Sequence, residues 1–178
     1  MRFVKTAVEG VLLIEPVIHA DDRGSFTRLS CVEEFKQAGI DFTPSQSSLS
    51  HNIARHTLRG MHYCREPEAK LVRCVRGRIF DVALDIRKDS PTYGRFVSVE
   101  LSADNMRGLF IPAGVAHGFL TREEHSDVLY QIDRAFRPGF EAGLRWNDPI
   151  AQIDWPAPPA VINIRDATYA NFTPSLQS

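Results

Sequence analysis

The chain has 178 residues, of which 43% are hydrophobic and 24% are charged, a composition typical of one globular domain. The 21 Lys and Arg residues nearly balance the 22 Asp and Glu residues, so the formal net charge is -1. This balance lacks the basic excess of nucleic-acid-binding proteins, and the aliphatic stretch at 11–14 is far too short to span a membrane. We therefore expect a single cytoplasmic domain over residues 1–178, with a looser tail after about Phe172 and neither nucleic acid nor membrane as a partner.

One short helix is predicted near the N-terminus. Residues 30–33 fit a capping box, Phe35 and Ala38 share a helical face, and Gly39 is a suitable C-terminal stop. The sequence therefore predicts a helix over 31–38 and strands elsewhere.

Alternating apolar and polar residues, rich in β-branched side chains, predict strands through the middle of the chain. Segments 71–75 and 78–86 flank Arg76-Gly77 and are expected to pair as a hairpin. Further strands are expected at 96–101, 108–111, 118–121 and 128–132, with turn residues between them. Many short strands separated by turns predict an all-β fold, a sandwich or barrel, and the jelly roll is the form that commonly encloses a ligand.

The histidines give no metal signature. Metal-binding jelly rolls usually carry two histidines two residues apart on one strand, and the six histidines of this chain contain no such pair. The three cysteines lack the CxxC spacing of zinc sites and are expected to be free thiols. Arg59 and His62 would face opposite sides of a strand unless Gly60 introduces a bulge, so their spacing alone does not show whether they act together.

Seven segments form an ordered set of motifs, at 21–26, 58–63, 70–73, 80–87, 90–92, 111–119 and 145–149. Together they resemble the dTDP-4-dehydrorhamnose 3,5-epimerase family, and the resemblance runs in order from about residue 10 to residue 168. The resemblance implies a cupin-like jelly-roll homodimer that needs no metal or other cofactor. It also implies a nucleotide-linked 4-keto-6-deoxy hexose as the substrate.

The resemblance further implies four catalytic residues. Removing a proton beside a ketone requires a base, a cation near the enolate oxygen, and an acid on the opposite face of the sugar. By resemblance, His62 is the base, Asp166 orients it and Lys70 is the cation. Tyr130 follows His117 by thirteen residues, which is the spacing of the family's tyrosine acid.

Eight substrate-binding residues are also implied by resemblance. Phe26 corresponds to an aromatic residue near the nucleotide that the dimer partner supplies. The chain departs from the family pattern around the ligand: the loop 64–70 is about two residues shorter, and Arg28 stands where a glutamate is usual. An arginine there would donate to the N3 acceptor of cytosine, which raises a CDP-linked substrate as an alternative. The eight residues are Arg23, Phe26, Arg28, Gln46, Ser48, Arg59, His117 and Phe136.

The sequence does not distinguish between several related functions. The residues do not show whether C3, C5 or both centres are inverted, because that depends on how the sugar moves within the pocket. The alternatives are a single-site 3- or 5-epimerase acting on another deoxysugar nucleotide, a 3,4-ketoisomerase, and a non-catalytic sugar-binding cupin. A metal-dependent cupin oxygenase is a more remote alternative.

Overall fold

The computed structural model describes residues 1–172, and the predicted tail after Phe172 lies outside them. In chain order the strands are β1 (Arg2–Lys5), β2 (Leu12–Glu15), β3 (Ile18–Asp21), β4 (Gly24–Thr27), β5 (Gln46–Asn52), β6 (Leu58–Cys64), β7 (Lys70–Arg76), β8 (Arg78–Asp85), β9 (Phe96–Ser102), β10 (Gly108–Ile111), β11 (Val115–Thr121), β12 (Ser126–Ile132) and β13 (Glu141–Gly143). The helices are α1 (Val32–Gln37) and α2 (Ile164–Thr168).

The strands form two large antiparallel sheets and one small hairpin. The six-stranded sheet has the order β1-β2-β10-β7-β12-β5, and the five-stranded sheet has the order β13-β6-β11-β8-β9. Strands β3 and β4 pair only with each other within the described residues. The all-β jelly-roll prediction is therefore confirmed, and in residues 1–172 no helix is long and apolar enough to cross a membrane.

The core between the two sheets follows from the alternation seen in the sequence. Every second residue of β7 and β12 points inward, so Val72, Cys74 and Val128 meet Ile79 and Phe119 of the opposite sheet. All five are almost completely buried. This packing holds the two sheets at a fixed separation, with one end left open for a pocket.

The predicted helix is confirmed over Val32–Gln37, but its capping box is wrong. Cys31 is the N-cap residue, and its side chain makes no capping hydrogen bond. The helix is held instead by tertiary packing: Phe35 lies with Phe42, Leu71 and Phe110 against the outer face of the six-stranded sheet. A short helix depends on such packing more than on local signals.

The hairpin predicted around Arg76-Gly77 is also wrong, although its strands are correct. Strand β7 pairs with β10 and β12, whereas β8 pairs with β11 and β9, so the turn carries the chain from one sheet to the other. Gly77 has a φ of 72°, and a Cβ at this position would lie 2.5 Å from Ser126 Oγ. The turn needs glycine because it crosses the sandwich at close quarters.

The expectation of strands outside the first helix fails at α2. This helix has only five residues, too few for the sequence to show helical periodicity. Its N-cap residue Asn163 accepts a hydrogen bond from the backbone N–H of Asp166 at 2.7 Å. The cap matters because it fixes the one buried carboxylate of the helix.

Candidate active site

A pocket opens at one end of the sandwich, where the two sheets separate. His62 of β6 faces it from the five-stranded sheet, and Gln46, Lys70 and Ile132 face it from the six-stranded sheet. The rim comes from the loops at 64–68 and 134–137, from Glu141, and from Arg165 and Tyr169 near α2. The pocket therefore draws on both sheets and on the short C-terminal helix.

A register shift places Arg59 and His62 on the same face of β6. His62 lies opposite His117 of β11, whereas Arg59 lies opposite Phe119, so the two residues between them on β6 face a single residue of β11. Gly60, between them, has a φ of 121°, and a Cβ there would lie 2.6 Å from Gly118 Cα. The bulge that the sequence left open is present, so Arg59 and His62 lie on one face of β6, although Arg59 itself is exposed.

His62 and Asp166 form a hydrogen-bonded pair at the pocket wall. His62 Nε2 lies 2.8 Å from Asp166 Oδ1, and Asp166 Oδ2 accepts the Gly60 N–H at 3.0 Å. Asp166 is 0% exposed, whereas the His62 side chain is 34% exposed. The pair thus has one buried, fixed end and one accessible end, and the His62 Nδ1 atom is the ring nitrogen that Asp166 does not engage.

The environment of Asp166 keeps its carboxylate ionised. Burial raises the pKa of Asp166, but the hydrogen bonds from His62 and from the Gly60 N–H outweigh burial, so the pKa is lowered overall. An ionised carboxylate accepts a hydrogen bond from Nε2 and stabilises the imidazolium that forms when Nδ1 takes a proton. The arrangement suits a general base.

Tyr130 lies on β12, in the sheet that faces His62. Its ring packs against the core and meets the His117 ring edge-on at a centroid distance of 5.8 Å. Burial raises the pKa of Tyr130, the charge of Asp81 raises it further, and Arg59 partly opposes them. The phenol is therefore protonated at neutral pH and able to donate a proton.

The six-stranded sheet also supplies one cation and several polar groups in the pocket or on the inner face beside it. Lys70 is only 8% exposed, and its Nζ lies 3.2 Å from Glu68 Oε1. Gln46 Nε2 donates to the Arg134 carbonyl at 2.8 Å. Ser48 lies directly opposite Tyr130 on the neighbouring strand, so it belongs to the same inner face.

His117 is buried next to Tyr130, and the exposed Arg59 lies close enough to Tyr130 for its charge to affect the phenol. His117 Nε2 is 2.7 Å from Asp81 Oδ1, and both residues are buried. Arg59 Nε donates to Asn52 Oδ1 at 2.8 Å. The sequence did not single out Asp81 as a site residue, although a buried acid on a mostly apolar strand requires a polar partner.

Three of the predicted substrate-binding residues lie away from this pocket. Phe26 is 75% exposed on β4, and Arg23 forms an ion pair with Asp21 at 2.6 Å beside it. Arg28 Nη1 lies 3.0 Å from Glu34 Oε1 of α1. Within one chain the structure therefore does not bring these residues to His62, whereas the exposed Phe136 does lie at the pocket rim.

Several pocket residues were not found by sequence reasoning. Tyr169 lies edge-on to His62 at a ring centroid distance of 6.1 Å. Glu66, Arg134 and Arg137 form ion pairs across the rim. These residues lie in loops or after the last strand, where no periodic pattern marks them.

The fold and the site together define a class of protein. A cupin-like jelly roll that presents a His–Asp pair and a partly buried tyrosine from facing sheets is suited to moving protons on and off a bound carbohydrate. A model of the family "dTDP-4-dehydrorhamnose 3,5-epimerase" matches residues 5–173. The chain belongs to this family, and it is an isomerase of the epimerase type.

Individual relatives support this assignment. A dTDP-4-dehydrorhamnose 3,5-epimerase from Methanothermobacter thermautotrophicus is 43% identical over 87% of this chain and 84% of its own length. The crystal structure of a Legionella pneumophila 3,5-epimerase in complex with dTDP-4-keto-L-rhamnose has a TM-score of 0.90 and 34% identity, covering 96% of this chain and 92% of that one.

A second solved structure represents a narrower activity. A 3'-monoepimerase from Streptomyces bikiniensis, in complex with dTDP-quinovose, has a TM-score of 0.87 and 33% identity. The match covers 93% of this chain and 85% of that one. The sequence-based predictions of family, fold and enzyme class are confirmed by these comparisons.

Proposed function

We propose that this chain inverts both C3 and C5 of a dTDP-linked 4-keto-6-deoxy hexose. The observation that carries the proposal is the His62–Asp166 pair, which faces a pocket closed on its far side by the sheet that bears Tyr130. Relatives of similar length that are named for this 3,5-epimerase activity support the choice of substrate.

In the proposed reaction, His62 removes the proton next to the C4 ketone. The C–H bonding electrons move into the ring and toward the ketone oxygen, which forms an enolate. Lys70, a nearly buried cation on the opposite pocket wall from His62, stabilises that oxygen. Tyr130 then returns a proton to the opposite face of the carbon, and proton exchange through solvent restores both side chains. No net oxidation takes place.

Substrate contacts are assigned to residues that share the inner faces of the two sheets. Arg59 has a guanidinium suited to the diphosphate, while Gln46, Ser48 and His117 supply polar contacts along the same path. Phe136 offers an exposed ring at the rim for the base or the sugar.

The proposal includes a homodimer in which the β3–β4 hairpin of a second copy completes the site. Arg23, Phe26 and Arg28 lie away from the pocket of their own chain. The hairpin pairs with no other strand in the described part of the chain, and Phe26 is largely exposed on it. A second copy would give these exposed side chains a substrate to contact.

The cytoplasmic location also stays a prediction.

Incubation with dTDP-4-keto-6-deoxyglucose in deuterated water tests the function. We expect deuterium at both C3 and C5, with inverted ring couplings by proton NMR. Label at one carbon would replace the proposal with a single-site epimerase, and migration of the carbonyl would indicate a 3,4-ketoisomerase. Absence of exchange with dTDP- and CDP-linked substrates would favour a non-catalytic sugar-binding protein.

The choice of nucleotide is tested separately by competition between dTDP and CDP. We expect dTDP to bind more tightly, because the Arg28 guanidinium already has Glu34 as an acceptor and is not held free for a cytosine. Tighter binding of CDP would overturn this choice and leave the proposed proton transfers intact.

A further inference from the structure

Two loops face each other across the pocket mouth and are joined by several contacts. We call residues 65–69 and 133–140 the mouth loops. The Ala69 N–H donates to Asp133 Oδ1 at 2.9 Å, and the Arg65 N–H donates to the Phe140 carbonyl at 2.9 Å. The backbones of the mouth loops are thus held together by hydrogen bonds that do not involve charged pairs.

Charged side chains form a second layer above this backbone frame. Glu66 accepts from Arg137 Nη1 through both carboxylate oxygens, at 3.1 and 3.2 Å. Arg134 Nη1 lies 3.9 Å from the same carboxylate. Both arginines are half exposed or more, and all three residues line the pocket. One carboxylate therefore serves two guanidinium groups at the entrance.

Such a cluster is poorly explained as a stabilising device. Solvent-exposed ion pairs contribute little to stability, and the mouth loops are already joined through Asp133 and through backbone groups. The loop that carries Glu66 is also the one that is expected from the sequence to be shorter than in the family. Its carboxylate pairs with arginines that line the same pocket as the exposed ring of Phe136.

We propose that Arg134 and Arg137 join Arg59 in binding the diphosphate of the nucleotide sugar, and that Glu66 is the internal counter-ion they leave when the substrate arrives. This inference rests on the proposed function, since it assumes a nucleoside diphosphate in the pocket. A guanidinium pairs with phosphate oxygens through two parallel hydrogen bonds, as it does with a carboxylate. The exchange keeps both arginines paired before and after binding.

The exchange predicts effects of opposite sign on the two sides of the ion pair. Loss of Glu66 frees the arginines and strengthens binding, whereas loss of Arg137 weakens it. If the cluster only held the loops in place, removing either partner would weaken binding. The sign of the Glu66 effect therefore separates a counter-ion from a structural brace.

Calorimetric titration of the full-length protein with dTDP and dTMP tests this inference, with Arg95→Ala as a control for the loss of an exposed arginine distant from the pocket. We expect Arg137→Ala to weaken dTDP binding about tenfold and Glu66→Gln to tighten it about threefold. Both changes are expected to be smaller for dTMP, which lacks the second phosphate. In turnover assays the changes are expected mainly in KM, and Arg95→Ala is expected to match the wild type.

The outcomes separate this inference from the proposed function. Weaker or unchanged dTDP binding by Glu66→Gln, or unchanged binding by Arg137→Ala, overturns the counter-ion exchange even if the wild type is an active epimerase. Opposite shifts in a protein that binds dTDP without turning over any substrate support the exchange and overturn the proposed activity. A wild type that does not bind dTDP overturns both.

Discussion

Two histidine–carboxylate pairs lie side by side in this molecule and differ mainly in access. His62 and His117 are direct neighbours across β6 and β11, and each contacts a carboxylate that is 0% exposed through Nε2, at 2.8 and 2.7 Å. The His62 ring opens to the pocket, whereas the His117 ring is enclosed between Phe119 and Tyr130. The His62 ring is therefore accessible to a molecule in the pocket, whereas the His117 ring is far less accessible.

The carboxylates differ as well. Both oxygens of Asp166 have partners, while Asp81 Oδ2 has none among the described residues. A fully paired carboxylate holds its histidine in one orientation, and a partly paired one leaves charge that acts on its surroundings. We infer that Asp166 serves the ring that exchanges protons, whereas Asp81 acts mainly through its charge on the neighbouring Tyr130.

The largest effect is expected at the accessible pair. His62→Asn removes the proposed base, and epimerisation is expected to fall by on the order of a thousandfold, with deuterium exchange falling in parallel. Steady-state kinetics and NMR exchange measure both losses. The matched control is His125→Asn, which changes an exposed histidine outside the pocket. Residual exchange close to the wild-type rate would assign the base to another residue.

The next effect is expected at the carboxylate behind His62. Asp166→Asn keeps the size of the side chain but removes the charge that stabilises the imidazolium, so kcat is expected to fall on the order of a hundredfold. KM is expected to change little, because Asp166 is buried behind the pocket wall. A pure KM effect would contradict the assigned role.

The pH dependence of the melting temperature of Asp166→Asn tests whether Asp166 is ionised in the folded protein. The pKa of Asp166 is lowered in the folded protein, so the ionised carboxylate stabilises the fold above its ordinary pKa of about 4 and that contribution is lost as the pH falls below it. The difference in melting temperature between wild type and Asp166→Asn is therefore expected at neutral pH and should shrink toward about pH 3. A difference that grows on acidification would contradict the lowered pKa.

A smaller effect on turnover is expected at the enclosed pair. Asp81→Asn is expected to lower the free energy of unfolding by about 1–3 kcal/mol and to reduce turnover only about tenfold. The pKa of Tyr130 is raised chiefly by burial, and the charge of Asp81 only adds to this, so Tyr130 is expected to stay protonated in the variant. Denaturant unfolding and steady-state kinetics measure the two losses, and a loss of turnover as large as that of His62→Asn would contradict the secondary role of Asp81.

The smallest effect is expected at a third histidine–carboxylate pair, on the surface. His51 Nδ1 lies 2.5 Å from Asp127 Oδ1, but half of the His51 side chain is exposed. His51→Ala is expected to change the free energy of unfolding by less than about 1 kcal/mol and to leave turnover unaltered. A thermal shift as large as that of Asp81→Asn would show that burial does not govern the order of these three pairs.

The sequence predicted the positions of the strands better than it predicted which strands pair with each other. Alternation identifies which face of β7 and β8 is buried, but it does not identify the neighbouring strand, so a turn between sheets resembled a hairpin. The bulge at Gly60 was likewise undecided, because only the register with His117 and Phe119 determines it. The resemblance supplied only some of the residues that line the pocket, but it paired His62 with Asp166.

What the sequence missed depends on contacts between distant segments. Asp81 is recognised as a site residue only once it is known to lie next to His117. Likewise, Glu66 is recognised only from its contact with Arg137, which is 71 residues away. Helix α2 was too short to show periodicity, although its N-cap determines where Asp166 lies. Local pattern indicates burial and conformation, whereas such pairings are set by the tertiary fold.

The proposed base and acid reach the substrate from separate sheets, and this division links stereochemistry to core packing. His62 moves with β6, Tyr130 moves with β12, and side chains such as Val72 and Phe119 set the thickness of the sandwich between them. A change of core volume therefore alters the gap between the point of proton removal and the point of proton return. In such a variant the enolate would more often recapture its proton on the original face, and the ratio of retention to inversion would report how tightly the two sheets pack.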